Sequence, residues 1–434
     1  MTYIVGHPIK HPADFYGRFN QITRFFEIIG GGQTQSLSIL GLRRAGKTSF
    51  LQHIAHPEIM ARYLPYPEKY AMIYLDMSFC RTPSEFYYRL LLQLKNTLGQ
   101  KQPINLWKSS PPDKTNLYDV EMLLCQHPDR RIILLLDEFD QLRTNNFDQD
   151  FLVELRAMTS VMEYDLACVT ASYWDLYQLG EQIGLPPTSP FYNIFYPTPI
   201  YLSGLETAET EALIRKPAEH AGIHFSQSEI ADIQQLAGTL PFFVQATAAK
   251  WFDLRRNGQI PDATSMCQQL AIDLSPYFGQ WWRHFTSCEQ KLLLDAANRL
   301  PVKQLNNSLE GAEALRRLQN YGLLTLQNGE PAINGAIFAW WLTHLATHIS
   351  ERNGQNGHKT SNITPSPTRL HQLLVQHFNL EELKLLCFEM GVDYEDLDGA
   401  NKNTKALALV QYWQRHNNLQ YLAETITQQR NILM

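Results

Sequence analysis

Residues 36–50 read SLSILGLRRAGKTSF. In this stretch Gly41 and Gly46 bracket four residues and are followed by Lys47 and Thr48, which is the phosphate-loop pattern G-x-x-x-x-G-K-[ST]. A phosphate loop works only where a strand delivers the chain into a tight glycine turn and a helix leaves it, so that backbone N–H groups and the helix N-terminus face the phosphates. Ser36 to Leu40 is a short apolar run suited to the strand, and TSFLQHI from Thr48 carries helical apolar spacing. In this reading Lys47 reaches the β- and γ-phosphates and the Thr48 hydroxyl ligates Mg2+. Gly41, Arg44, Ala45, Gly46 and Ser49 belong to the same nucleotide pocket.

A second stretch completes the chemistry. Residues 130–140, RRIILLLDEFD, form a continuous Ile/Leu run that ends in acids, as a central parallel strand buried on both faces should. Asp137 would hold the Mg2+ through water and Glu138 would polarise the attacking water, because phosphoryl transfer needs a metal clamp and an oriented nucleophile more than covalent chemistry. Asp140 reads as a further site carboxylate or a helix N-cap, with the cap or a structural role favoured. Further strands are expected at Tyr70 to Asp76, Asp165 to Ser172 and Pro199 to Leu202, separated by helical crossovers as a parallel sheet requires. Ser172, or less favourably Thr170, sits at a strand end where it would touch the γ-phosphate or bond its own backbone.

The whole chain sets wide bounds. Its 434 residues, 44% of them hydrophobic, suffice for two to four domains with real cores. A formal charge of −6 gives no broad basic face and favours protein or small-molecule partners over nucleic acid. The six cysteines are scattered without metal spacing, which suits reduced thiols in a cytosolic protein. No apolar run has signal-peptide or membrane-span length, so the expectation is a soluble cytoplasmic protein with no membrane partner.

FYGR at 15–18, the phosphate loop, IILLLDEFD, YLSGL at 201–205 and LIRKPAEHAGIHF at 213–225 together resemble the AAA-related STAND ATPases, signal-transduction ATPases with numerous domains, and most of all their prokaryotic members. The resemblance spans roughly residues 13–350. It implies a molecular switch that is closed with ADP and that opens and oligomerises with ATP and a trigger. By the same resemblance Phe15, Tyr16, Gly17 and Arg18 match the segment that wraps the adenine, with ordinary packing on the lid as the alternative for Phe15 and Tyr16. Gly238 and Pro241 resemble the family's glycine-x-proline element, here with two residues between them instead of one, and Pro241 would reach the nucleotide from the lid. Arg43 and Arg44 would contact a phosphate, serve a neighbouring protomer as an arginine finger, or lie free on the surface.

Downstream, the apolar spacing of 205–256 describes a helical lid. Residues 284–341 then read helix, helix, hairpin with Asn328-Gly329 at the turn, helix, which is a winged helix-turn-helix. Arg316 and Arg317 on its second helix would face a DNA major groove, whereas the resemblance implies a packing module that holds the off-state. Trp281, Trp282, Trp340 and Trp341 read as core or inter-domain contacts. Residues 351–367 are polar and rich in Gly, Asn, Ser and Pro, as in a tether.

Beyond the tether, Leu370, Leu373, Leu374 and Phe378 share one helical face, Leu383, Leu386, Cys387 and Met390 a second, and Leu407, Val410 and Trp413 a third. This segment resembles the small death-like, effector-associated domains of bacterial conflict systems, which implies like-with-like association with a separate effector protein. Glu381, Glu382, Glu389, Asp393, Glu395, Asp396 and Asp398 against Lys402, Lys405 and Arg415 suggest an acidic and a basic side for head-to-tail assembly, or else solvated faces.

The expected fold class is thus multidomain α/β plus all-α: a P-loop NTPase parallel sheet over 1–204, a helical lid over 205–275, a winged helix over 276–350, a linker over 351–367 and a death-like helical bundle over 368–434. The expected function is an ATP/ADP and Mg2+ dependent switch, slow in hydrolysis, that self-associates and recruits an effector through 368–434 in prokaryotic antiviral defence or cell death. The rival is a DNA-directed ATPase, an initiator or transposition regulator, bound to DNA through the winged helix. A third reading, a scaffold that never hydrolyses, conflicts with intact Lys47, Thr48, Asp137 and Glu138.

Overall fold

The computed structural model describes residues 2–99, 115–300, 308–327, 329–346, 367–390 and 401–415, with single positions at 392, 394, 397, 399, 419, 422, 425 and 426. The expected tether, apart from Pro367, lies outside the described residues, as do Asn328, Asp393, Glu395, Asp396 and Asp398 and the side chains of Glu381, Glu389 and Arg415. The chain divides into two compact units, Met1–His348 and Ile349–Met434.

In the first unit five strands form one parallel sheet: β1 (Leu37–Leu40), β2 (Tyr70–Asp76), β3 (Arg131–Asp137), β4 (Asp165–Ser172) and β5 (Ile200–Tyr201), in the order β2-β3-β4-β1-β5. β3 is buried from Ile132 to Asp137, because helices cover both faces of a parallel sheet, and β2 alternates between buried and half-buried positions. All strands run the same way, so the loops after β1 and β3 emerge at one edge, with β4 between them. One face is closed by the helices Pro83–Thr97, Leu117–Leu124 and Gln149–Met158, whose Phe86 and Phe151 meet edge to face at 5.0 Å.

Helices Thr207–His220, Gln227–Ala237, Pro241–Arg256 and Ala263–Asp273 follow the sheet. Serine 226 and Glu229 cap the second of these reciprocally, and Pro241 opens the third, where its missing N–H costs nothing. Next come Ser275–His284, Ser287–Ala297 and Leu309–Asn320, then an antiparallel hairpin of β6 (Leu324–Gln327) and β7 (Glu330–Ile333), and the helix Ala336–Trp341. Trp281, Trp282 and Trp341 are buried around Phe278 and Phe338, whereas Trp340 is half-buried and stacks on His344 at 4.3 Å.

The hairpin region is keyed to the segment after β5 by close approaches at glycines. A methyl at Gly238 (φ +69°) would lie 2.5 Å from Asn334 Oδ1, and one at Gly322 (φ +72°) would lie 2.4 Å from the Gly204 nitrogen. The Asn334 amide ties the crossing together by donating to Thr239 Oγ1 at 2.8 Å and to the Gly322 carbonyl at 2.7 Å. Gly238→Ala is therefore expected to cost about 2–4 kcal/mol, since clash and positive φ add. A thermal melt equal to wild type would refute the close packing.

The second unit contains helices Pro367–His377, Leu380–Glu389 and Lys402–Arg415. Its core gathers Leu370, Leu373, Leu374, Phe378, Leu383, Leu386, Cys387 and Met390 with Leu409, Val410, Leu422 and Ile426. One expected position differs: Leu407 is 43% exposed, and Ala406 and Leu409 take the inward places. Asn379 and Glu382 cap the middle helix reciprocally at 2.8 and 2.9 Å. Lys402 Nζ donates to the carbonyls of Val375 and Phe378 at 2.8 and 3.1 Å, and Lys405 Nζ to those of Tyr394 and Leu397 at 3.0 and 2.6 Å. Both ammoniums thus serve carbonyls at chain turns inside the unit, Lys402 at the end of Pro367–His377, where the helix dipole favours a cation.

Among the described residues no helix is long and apolar enough to cross a membrane, and no cluster of His, Cys, Asp and Glu could hold a metal ion by itself. Cys80, Cys168 and Cys387 are buried, Cys267 and Cys288 half-buried and Cys125 exposed, all as free thiols.

Candidate functional site

The turn after β1 is forced by its own residues. Gly41 N–H donates to the Ser172 carbonyl at 3.2 Å, and Ala45 N–H to the Leu42 carbonyl at 3.1 Å. Arg44 and Gly46 take left-handed backbone, φ +70° and +93°, which turns successive N–H groups toward one concavity before the helix Lys47–Ile54 begins. A methyl at Gly46 would meet nothing within 4 Å, so the concavity in front of the loop is open. Lys47 is 6% exposed, and its ammonium folds back onto the carbonyls of Gly41 and Leu42 at 3.0 and 3.2 Å.

Beside the loop, Asp137 ends β3 with its carboxylate buried. The Tyr74 hydroxyl from β2 donates to Asp137 Oδ2 at 2.9 Å and the Glu138 N–H to Oδ1 at 3.0 Å, and Thr48 is near enough to favour the ionised carboxylate. Burial pushes the Asp137 carboxyl above the usual range, against the pull of Thr48, Tyr74 and Lys47. Glu138 is raised as well, by burial first, with Lys47 opposing and Asp140 and Asp137 adding repulsion. Its backbone is left-handed at φ +50°, a strained setting for a non-glycine residue that aims the side chain into the cavity.

That cavity measures about 460 Å³. Arg43, Arg44, Ala45, Gly46, Lys47, Thr48, Ser49 and Glu138 line its phosphate-loop side, Tyr16 and Arg18 another, and Pro241 the lid side. A smaller adjoining cavity of about 280 Å³ shares Ile4, Ile9, Asp14, Tyr16, Leu213 and Gln245 with it. The donor set suits a nucleotide with a divalent cation: an open N–H cradle, a lysine held above it, and a buried and a half-buried carboxylate, both disfavoured as anions, beside a threonine hydroxyl.

The remaining site residues separate into two groups. Arg18 lines the cavity but spends its guanidinium on the Ala45 and Gly204 carbonyls at 3.2 and 3.4 Å, and burial lowers its pKa to about 10. Gly17 is needed for closeness, since a methyl there would lie 2.8 Å from Glu209, whose carboxylate accepts from the Phe19 N–H. These two residues lock the lid to the phosphate loop. Phe15 stacks on His53 at 4.0 Å, and Tyr16 faces both cavities with the Lys216 ammonium 5.8 Å over its ring.

Ser172 and Asp140 point elsewhere. The Ser172 hydroxyl donates to the Trp174 carbonyl at 2.7 Å and does not line the cavity, which is the self-bonded strand end among the two alternatives. Asp140 accepts from the Tyr173 N–H at 3.0 Å, a structural use. Arg44 is exposed and lines the cavity, and it donates to the Gly6 carbonyl at 2.8 Å and lies 5.3 and 5.2 Å over the rings of Phe242 and Tyr277. Arg317 pairs with buried Glu289 at 3.0 Å, while Arg316 is exposed.

Sequence reading missed several of the groups that build this site. Tyr74 carries no motif, because in a strand it reads only as a β-favouring aromatic. Residues 4–9 have no periodicity and lie more than thirty residues before the loop they cover. Phe242, Gln245, Tyr277 and Gln280 also line the cavity, and only helical spacing marked them in the sequence.

Residues 112–299 match the family Novel STAND NTPase 2, and residues 370–431 match Effector-associated domain 7. No curated protein matches the chain significantly in sequence. Among solved structures, the Walker-type ATPase paby2304 of Pyrococcus abyssi superposes with a TM-score of 0.55 at 16% identity, covering 79% of this chain and 100% of that one. The ORC2 protein of Aeropyrum pernix is more distant, with a TM-score of 0.43 at 12% identity over 81% of this chain and 97% of that one. The first likeness shows the P-loop NTPase fold, and the two family matches say what the segments are similar to: residues 112–299 resemble STAND NTPases and residues 370–431 resemble an effector-associated domain.

Proposed function

We propose that the chain is an ATP-dependent signalling switch, in which a nucleotide bound between the phosphate loop and the lid controls self-association and the C-terminal unit recruits or activates a separate effector, in the setting of prokaryotic antiviral defence or cell death. The observation that carries this reading is the meeting of Lys47, Thr48, Asp137 and Glu138 at one sheet edge, under helices of a chain whose other end matches an effector-associated domain. ATP with Mg2+ would supply the cleavable phosphoanhydride and a Lewis-acid clamp. The loop N–H groups and Lys47 would hold the β- and γ-phosphates, Thr48 and Asp137 the ion, and Glu138 would take the proton of the attacking water. Glu138 is suited to that task because burial raises its proton affinity toward working pH.

The DNA-directed alternative gains no support, since Arg317 on the candidate recognition helix is engaged with Glu289. For the effector contact, Lys402 and Lys405 are committed to backbone carbonyls, so a basic docking side would have to use other groups. Light scattering coupled to size exclusion tests the switch. Mass is expected to rise with a non-hydrolysable ATP analogue, and with ATP in the Glu138→Gln variant, and to stay monomeric with ADP. A monomer in all three states, with nucleotide shown to be bound, would refute nucleotide-driven assembly.

A further inference from the structure

The segment ahead of the first helix crosses the mouth of the nucleotide cleft and is fastened at three points. Ile9 N–H donates to Ser49 Oγ at 3.0 Å, on the helix that leaves the phosphate loop. Arg44, in the loop itself, holds the Gly6 carbonyl at 2.8 Å. Tyr3, 5% exposed, donates its hydroxyl to the Ile214 carbonyl at 2.5 Å and packs edge-on against Phe252 at 6.0 Å, so both contacts are to lid helices. Ile214 lies on the lid helix Thr207–His220, so this bond fastens residue 3 to the lid. Burial pushes the Tyr3 phenol well above its usual range, and the group remains a donor at all physiological pH.

Between these anchors Ile4 and Ile9 wall both cavities, and Gly6, His7 and Pro8 wall the larger one. A ligand with its phosphates at Lys47 and its base toward Tyr16 and Leu213 would lie beneath this strap. We propose that residues 2–9 are the outer wall of the nucleotide site, and that Tyr3 is a positioning residue whose release from the lid sets how fast a nucleoside diphosphate leaves. The inference rests on the nucleotide-binding reading above. It also gives Arg44 a job: its guanidinium joins strap, loop and the lid-side rings of Phe242 and Tyr277, so a change in the loop is felt directly by the strap.

Release of radiolabelled ADP from the full chain into excess unlabelled ADP is the test. Tyr3→Phe removes only the hydroxyl and keeps the ring against Phe252. Its release rate is expected to rise roughly 3- to 10-fold, as the loss of one buried hydrogen bond implies, with the association rate within about 2-fold of wild type. Tyr3→Ala should release faster still. Hydrogen exchange gives a second readout: bound ADP should slow exchange across residues 2–9 in wild type and much less in Tyr3→Phe. Saturable ADP binding with equal release rates and equal exchange in the two proteins would overturn the strap and leave the nucleotide site standing. Absence of saturable binding in wild type would instead overturn the site, and the strap with it.

Discussion

Lys47→Ala is expected to weaken ATP and ADP binding at least about 100-fold and to abolish the thermal shift that nucleotide gives the wild type. The ammonium is buried and already hydrogen-bonded to two loop carbonyls, so it is placed in advance and pays little ordering entropy when phosphates arrive. Charge-assisted contacts to phosphate oxygens in such a site are among the strongest polar interactions a protein makes. Lys47 also offsets the proton affinities of Asp137 and Glu138, and without it both carboxylates become harder to ionise, which weakens the cation site. Calorimetric titration checks the affinity. Retention within 3-fold of wild type would show that the loop does not bind phosphate.

Glu138→Gln is expected to lower ATP turnover by roughly 100- to 10,000-fold while leaving ATP affinity within a few-fold, because the amide keeps shape and hydrogen-bonding capacity but cannot accept the water proton. The pH dependence has a definite sign. Burial raises the Glu138 carboxyl above its ordinary range, so the ionised base that catalysis needs appears only as pH climbs through that raised value, and wild-type turnover should rise with pH on the acid side. For stability the sense is opposite. A folded-state pKa above the unfolded one contributes stability below the ordinary Glu range, and this contribution is lost as pH rises through the raised value. A neutral glutamine escapes that loss, so nucleotide-free Glu138→Gln should melt at or above wild type at neutral pH. Single-turnover hydrolysis and melting curves across pH 5–9 test both statements. Unimpaired turnover in the variant would remove Glu138 from the chemistry.

The sheet was legible where burial leaves a one-dimensional trace. The run from Ile132 to Leu136 is apolar at every position because both faces of β3 are covered, and Gly46 and Lys47 sit in a motif whose backbone demands are local. Strand order was not legible, since each crossover looks alike in sequence whichever neighbour it reaches. Side-chain direction was lost in the same way. Arg44 in a phosphate loop offers a charge in the right place, yet geometry turns it to the Gly6 carbonyl and two aromatic rings. Lys402 and Lys405 look like a basic surface when only charge is counted, and the fold spends both on main-chain oxygens. Ser172 could have faced the phosphates, but the turn after β4 brings the Trp174 carbonyl nearer. Residues 4–9 became part of the site only through tertiary contacts, which no local pattern encodes.

The crossing at Gly204, Gly238, Gly322 and Asn334 has a mechanical consequence. Most joints between packed segments are padded by side chains that can change rotamer and absorb a small displacement by degrees. Here Gly322 meets the Gly204 backbone directly, and the side chains at the crossing, Thr239 and Asn334, are tied by the Asn334 amide's two bonds, so a movement of a few tenths of an ångström collides or strains those bonds. A joint of this kind has no graded settings. The segment after β5 and the hairpin region should therefore part in one step or not at all.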